Sequence, residues 1–214
     1  MSIRALKLKV RTLAEDLSPF GFRQSGPYVV NRSRRELEQF IELQPGHAHL
    51  ANNFTCNLAW KFDVEGIPAE GGFHHSIRIG HLLDGSDVWF PHEPEDLVSA
   101  SYQRVRRALE IYGLPFLDAI DSIPKIVSQY EEAVANLTNS LPSPKSPLFF
   151  FGRDEGWKHC ILGFCYKTLK RLDKAEYHLK IVVTRHSLEP YDFVIKRKDA
   201  CVQALSELEK PGGK

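Results

Sequence analysis

The stretch NNFTCNLAWKFDV, Asn52–Val64, decides the fold. Phe54, Cys56, Leu58 and Trp60 fall on one face of it, and Thr55, Asn57 and Ala59 on the other. A period of two sustained over such a run predicts a β-strand. Three shorter runs surround it. PYVVNR (27–32) is rich in β-formers, ELEQFIELQ (36–44) places Leu37, Gln39 and Ile41 on one face, and HSIRIGHLL (75–83) reads as the fourth. Polar or glycine-containing connections separate the runs, so the expectation is a small antiparallel meander of about four strands.

Helical patterns lie on both sides. Ile3, Leu6, Val10, Leu13 and Leu17 recur every three or four residues, predicting an N-terminal helix over 2–17 that Pro19 and Gly21 end. After VWFPHEPEDL (88–97) the period changes. Pro94–Tyr112 reads as a helix, opened by Pro94 with Glu95 and Asp96 in its first turn and closed at Gly113. Residues 114–140 supply one or two further helical pieces, with a break or new start at Pro124. NSLPSPKSP (139–147) carries three prolines and is the linker candidate. The predicted class is therefore α+β: an N-terminal helix, the sheet packed on helices, then an all-helical C-terminal part. The expected division is an α+β domain over 1–138, the linker at 139–147 and a helical subdomain over 148–214.

Within that last part, WKHCILGFCYKTLKRLDKAEYHLKIVV (157–183) resembles one tetratricopeptide hairpin. Leu162, Gly163 and Tyr166 match the first helix of that signature, and Ala175 and Leu179 the second. Small residues at 163 and 175 suit a close helix crossing, with Tyr166 and Leu179 filling the space around it. The match departs at His159, which replaces an aromatic residue, at Trp157, which lies two residues early, and at Pro190, which closes the motif late. No second copy follows, and a lone hairpin cannot bury its own apolar face. It is expected to pack on earlier helices and on a helix over 191–209, where Phe193, Ala200, Ala204, Leu205 and Leu208 make a stripe.

A second resemblance covers roughly residues 5–120. LSPFGFRQSGPYVVNR, FIELQ with NNFTCNLAW, and IRIGHL with VWF and YGLPFLDAI are similar to a bacterial family known as domain-of-unknown-function family 4304. The resemblance implies a compact α+β domain and carries no catalytic residues across.

Composition narrows the function classes. With 214 residues, 43% hydrophobic and 26% charged, the chain has the balance of a globular protein. It has no apolar run near the ~20 residues a membrane span needs. Its first twenty residues mix apolar and charged side chains, unlike a signal peptide, so a cytoplasmic location is expected. Cys56, Cys160, Cys165 and Cys201 form no CxxC and read as buried, reduced thiols. Net charge is +1, divided into −3 over 1–147 and +4 over 148–214. That balance does not favour nucleic acid as a partner, while the basic C-terminal part suits an acidic one.

Candidate chemistry concentrates in GGFHHSIRIGHLLDGSDVWF (71–90). Alternation separates His74 from His75, which lowers the case for a metal pair. A site assembled from His47, His49 and one of His74, His75 or His81 is the residual metal reading, and no metal or cofactor is expected. Arg78, set between Ile77 and Ile79, must face water or pair with a carboxylate, because a buried lone guanidinium is too costly. Candidate ligand or partner contacts are thus His75, Arg78, His81 and Trp89. No catalytic residue is assigned, since no GxSxG, phosphate loop, GxGxxG after a strand or HExxH is present. Asp118 and Asp121 read as helix-start carboxylates, and Arg104 and Arg107, at i and i+3, as a solvated helix face. The leading expectation is a non-enzymatic protein that binds another protein, of an adaptor or immunity type. The alternative is a small-ligand site or enzyme pocket between sheet and helices, and nucleic-acid binding stands third.

Overall fold

A computed structural model describes residues 2–62, 64–67, 75–136, 155–185 and 191–209. These fall into two compact units. Residues 2–61 and 75–122 form the first, and 62, 64–67, 123–136, 155–185 and 191–209 form the second. The fold is α+β, with an N-terminal helix, an antiparallel sheet and an all-helical C-terminal part.

In the first unit, helix α1 (Ser2–Leu17) buries Leu6, Val10, Leu13 and Leu17 against the sheet. The sheet runs β1 (Arg23–Gln24), β2 (Val29–Arg34), β3 (Leu37–Pro45), β4 (Asn53–Phe62) and β5 (His75–Arg78) in spatial as in chain order, a meander. A sixth strand, β6 (Phe90–Pro91), pairs with the start of β4 beyond the end of β5. The two extra strands are two residues long, too short for alternation to betray them. β4 is central, and Thr55 and Ala59 are buried along with Phe54, Cys56, Leu58 and Trp60. β3 buries Leu37, Gln39, Ile41 and Leu43 on one face.

Gln39 is polar on that apolar face, and its hydrogen bonds explain how it is tolerated. Its amide nitrogen donates to the Leu117 carbonyl at 2.6 Å, and its oxygen accepts from Arg32 Nε at 2.7 Å. Arg32 is only 2% exposed and also donates to Asp118 and to the Phe20 carbonyl. Asp118 therefore anchors a buried guanidinium instead of opening a helix, since its own helix is ending there.

The fourth strand stops at Arg78, short of the expected Leu83, and helix α2 (Ile79–Asp84) takes over. Gly80 makes the change possible: a Cβ there would lie 2.5 Å from the Ser86 carbonyl oxygen and from the Val88 amide nitrogen. Gly85, at φ 79°, ends α2 in the left-handed conformation, its N–H bonding the His81 carbonyl at 3.2 Å.

Helix α3 (Glu95–Ala108) does not close at Gly113. It continues through a π turn (Leu109–Gly113) into α4 (Leu114–Ala119). Val98, Tyr102, Val105 and Leu109 set the buried face, and ideal α-helical phase would bring Tyr112 next into it. The π turn accommodates one more residue per turn, so Gly113 and Leu114 become the buried pair and Tyr112 is turned out. Two local features fit this. Pro115 would clash with the Ile111 carbonyl in an unbroken α-helix, and a Cβ on Gly113 would meet Leu109 Cδ2 at 2.9 Å and Ile79 Cδ1 at 3.3 Å.

In the second unit, α5 (Ile123–Asn136), α6 (Glu155–Thr168), α7 (Leu172–Arg185) and α8 (Asp192–Glu209) pack in sequence. Pro124 lies in the first turn of α5, and α5 groups with α6, so the division between units falls at 122/123. The Pro-rich stretch 139–147 lies outside the described residues. Gly163 is the crossing point of the hairpin, where a Cβ would sit 2.6 Å from Leu179 Cγ and Cδ2. α8 turns Val194, Arg197, Cys201 and Ala204 inward, not the expected line beginning at Phe193, which is 40% exposed. Arg197 accounts for the shift, its guanidinium lying 5.0 Å from the Trp157 ring centroid and 5.6 Å from that of Phe193.

Candidate functional site

Three of the four residues singled out in the sequence converge. β5 ends on Arg78, α2 carries His81, and the loop after α2 brings back Asp87 and Trp89. Asp87 holds the group together: one carboxylate oxygen accepts from Arg78, and the other lies 2.8 Å from His81 Nε2. The Arg78 guanidinium lies 5.2 Å from the Trp89 ring centroid. Asp84 shapes the loop by accepting from the Ser86 amide at 3.1 Å and the Ser86 hydroxyl at 2.8 Å. His75 is the fourth candidate. Its backbone pairs with Trp60 on β4, and its side chain lies outside what the structure describes.

This cluster is closed upon itself. Asp87 answers both the cation and the imidazole, and His81 Nδ1 is buried. Neither ring nitrogen of His81 is presented to solvent for proton transfer, so the geometry gives no acid–base site. His47 and His49 are exposed on their loop, and His74 lies outside the described residues. Among the described residues no group of three or more His, Cys, Asp or Glu side chains could hold a metal ion.

A second feature of the same unit is open. A cleft of about 330 Å³ is lined by Leu83 of α2, Phe90 of β6, Arg104, Arg107 and Ala108 of α3, and Ile111 and Tyr112 of the π turn. The floor is rigid: Phe90 is buried against Phe54 of the adjacent strand, their ring centroids 5.7 Å apart. Arg104 lies 5.5 Å from the Phe90 centroid. Ile111 and Tyr112 are 50% and 42% exposed at the rim. The three arginines of QRVRR divide sharply. Arg106 pairs with Asp16 at 3.4 Å and Glu110 at 3.1 Å, while Arg104 and Arg107 have no carboxylate partner among the described residues.

Sequence reasoning reached Arg78, His81 and Trp89 but missed Asp87 and the cleft. For the cleft a signal existed. Tyr112 stands in the buried phase of α3 while Gly113 and Pro115 follow at once, a combination that an uninterrupted helix cannot accommodate.

In the second unit a buried polar network spans α5, α6 and α7. The Nδ1 atoms of His159 and His178 are 2.8 Å apart, so one ring donates to the other. His178 stacks on Tyr166 at 5.6 Å between centroids. Tyr166 donates to Glu131, which also accepts from Lys174 at 3.0 Å. Burial pushes the His178 pKa down to about 4, helped by the charges of His159 and Lys174 and opposed by Glu131. The tyrosine hydrogen bond, seconded by Lys174, holds the Glu131 carboxyl below its usual range. The four cysteines are free and buried, with Cys160 and Cys201 sulfurs 3.8 Å apart across α6 and α8. No helix among the described residues is long and apolar enough to cross a membrane.

No family model, no curated protein and no solved structure matches this chain.

Proposed function

We propose that this chain acts by binding another protein without catalysing a reaction, as an adaptor or an immunity-type protein would. The observation that carries the reading is the outward face of α8. Tyr191, Ile195 and Val202 are 57%, 48% and 46% exposed and fall within an arc of about 40° on the helix. Tyr191 is stacked on Phe193, with ring centroids 5.6 Å apart and 7° between planes, which makes that end of the stripe stiff. Apolar and aromatic side chains aligned along one helix are the pattern of a helix-docking surface. Lys196 and Lys198 flank the stripe, in the part of the chain with net charge +4. The partner that fits is an amphipathic helix with an acidic edge.

The resemblance of the hairpin to a tetratricopeptide unit and of residues 5–120 to family 4304 supports a binding role over a catalytic one. A photo-crosslinking residue at Val202, introduced into the full chain in its native host, tests it. The expected result is one protein captured in near-stoichiometric yield, lost when Ile195→Asp is added. A crosslinked product of twice the chain's own mass, or none, overturns the reading.

A further inference from the structure

We propose that the cleft at the π turn is a binding site for a small organic anion, a carboxylate or phosphate ester attached to a ring or short apolar body. This assignment is independent of the α8 surface and lies on the first unit.

Arg104 and Arg107 stand one turn apart on α3, on the same side of the helix, and neither is neutralised by a carboxylate among the described residues. Two like charges at i and i+3 repel each other, so the pair works against its own helix. An anion seated between them relieves that repulsion and accepts charge-assisted hydrogen bonds from both. Stacking on Phe90 fixes the Arg104 guanidinium, so little side-chain freedom remains to be lost when a ligand arrives.

The rest of the cleft rules out a bare inorganic ion as the best occupant. Leu83, Phe90, Ala108, Ile111 and Tyr112 give it apolar walls, and about 330 Å³ lies at the lower end of small-molecule sites. An ion alone would leave these walls wet. The π turn is what builds them, since α-helical continuation would bury Tyr112 in the core. π turns recur at functional sites, and here the irregularity turns an aromatic ring out to the rim beside two arginines. The Arg78 cluster cannot take this role, because Asp87 already occupies its cationic side.

Calorimetric titration of the full chain with phenyl phosphate, benzoate, inorganic phosphate and benzyl alcohol tests the assignment. Phenyl phosphate or benzoate is expected to bind, with inorganic phosphate and the neutral alcohol each weaker by about tenfold or more, as loss of either half of the contact requires. R104Q/R107Q is expected to lower aryl-anion affinity by about tenfold or more, and Ile111→Asp likewise, with the unfolding transition unchanged. Affinity should also fall with added salt. No heat with either aryl anion, or unchanged affinity in R104Q/R107Q, overturns the proposal. Displacement of phenyl phosphate by an acidic peptide or an oligonucleotide at a lower concentration than its own would also overturn it, in favour of a macromolecular partner. Failure of crosslinking at Val202 leaves this titration unaffected, so the two readings fail separately.

Discussion

Two arginine sites on the first unit have opposite characters. At Arg78 a carboxylate, an imidazole and an indole surround the guanidinium, and the charges answer one another within the protein. At Arg104 and Arg107 the guanidinium groups line a cleft with apolar walls and face no acid among the described residues. A charge with an internal partner contributes to folding, and removing one member leaves the other exposed to its desolvation cost. A charge without a partner contributes nothing to the fold and is available to a ligand. The comparison predicts that perturbing closed clusters changes stability, whereas perturbing the open cleft changes binding alone.

The largest effect belongs to the most tightly closed contact, the hairpin crossing. In Gly163→Ala the new methyl meets Leu179 at 2.6 Å, and overpacking of this kind costs about 1–3 kcal/mol. Urea unfolding followed by tryptophan fluorescence reads it, since Trp157 lies on the same helix. A variant as stable as the parent would show that α6 and α7 do not cross so closely.

Next comes acid. His178 in the folded chain has its pKa lowered from 6.5 to about 4, so the unfolded chain binds the proton first as pH falls. Stability contributed by the neutral histidine is fully present above about pH 6.5 and is lost progressively between there and pH 4. Protonation of both rings would also set two cations against each other across the 2.8 Å Nδ1 contact. Thermal unfolding scanned from pH 7.5 to 4.5 should show the loss, and His178→Phe should flatten that part of the profile. A parallel decline in the variant would assign the acid sensitivity elsewhere.

Much of this was legible in the sequence, for identifiable reasons. Period-two alternation located β3 and β4, and apolar recurrence located α1, because one face of each is buried throughout. Leu162, Gly163, Tyr166, Ala175 and Leu179 marked the hairpin because close crossings demand small residues beside large ones. Arg78 was found because its neighbours are isoleucines. What alternation could not show is the early end of β5, where Gly80 admits the returning loop, or Asp87, whose role exists only once that loop has returned. Arg104 and Arg107 looked like ordinary solvated charge because a single-residue phase shift, invisible to residue type, decides what lies beside them.

Asp87→Asn probes the closed arginine site. The amide keeps the shape but loses the charge that Arg78 and His81 share. Arg78 and Asp87 are 34% and 45% exposed at the side chain, so solvent screens the pair and the expected cost is about 1 kcal/mol or less. Aryl-anion binding at the cleft should not change. Impaired binding in this variant would mean that the two sites are coupled and that the contrast between them is false.

The smallest expected effect on stability is the most discriminating. R104Q/R107Q removes two cations that have no carboxylate partner among the described residues, and exposed substitutions of this kind stay within about 0.5 kcal/mol. The sign should be neutral to stabilising, since i and i+3 repulsion disappears and glutamine is nearly as good a helix former as arginine. The cation–π contact of Arg104 with Phe90 sets the only opposing loss, about 0.5–1 kcal/mol at an exposed site. Single variants separate the two contributions: Arg107→Gln should raise or preserve the melting temperature, and Arg104→Gln should lower it slightly. A drop of several degrees in Arg107→Gln would show that this arginine supports the helix after all, and the open site would then belong with the closed one.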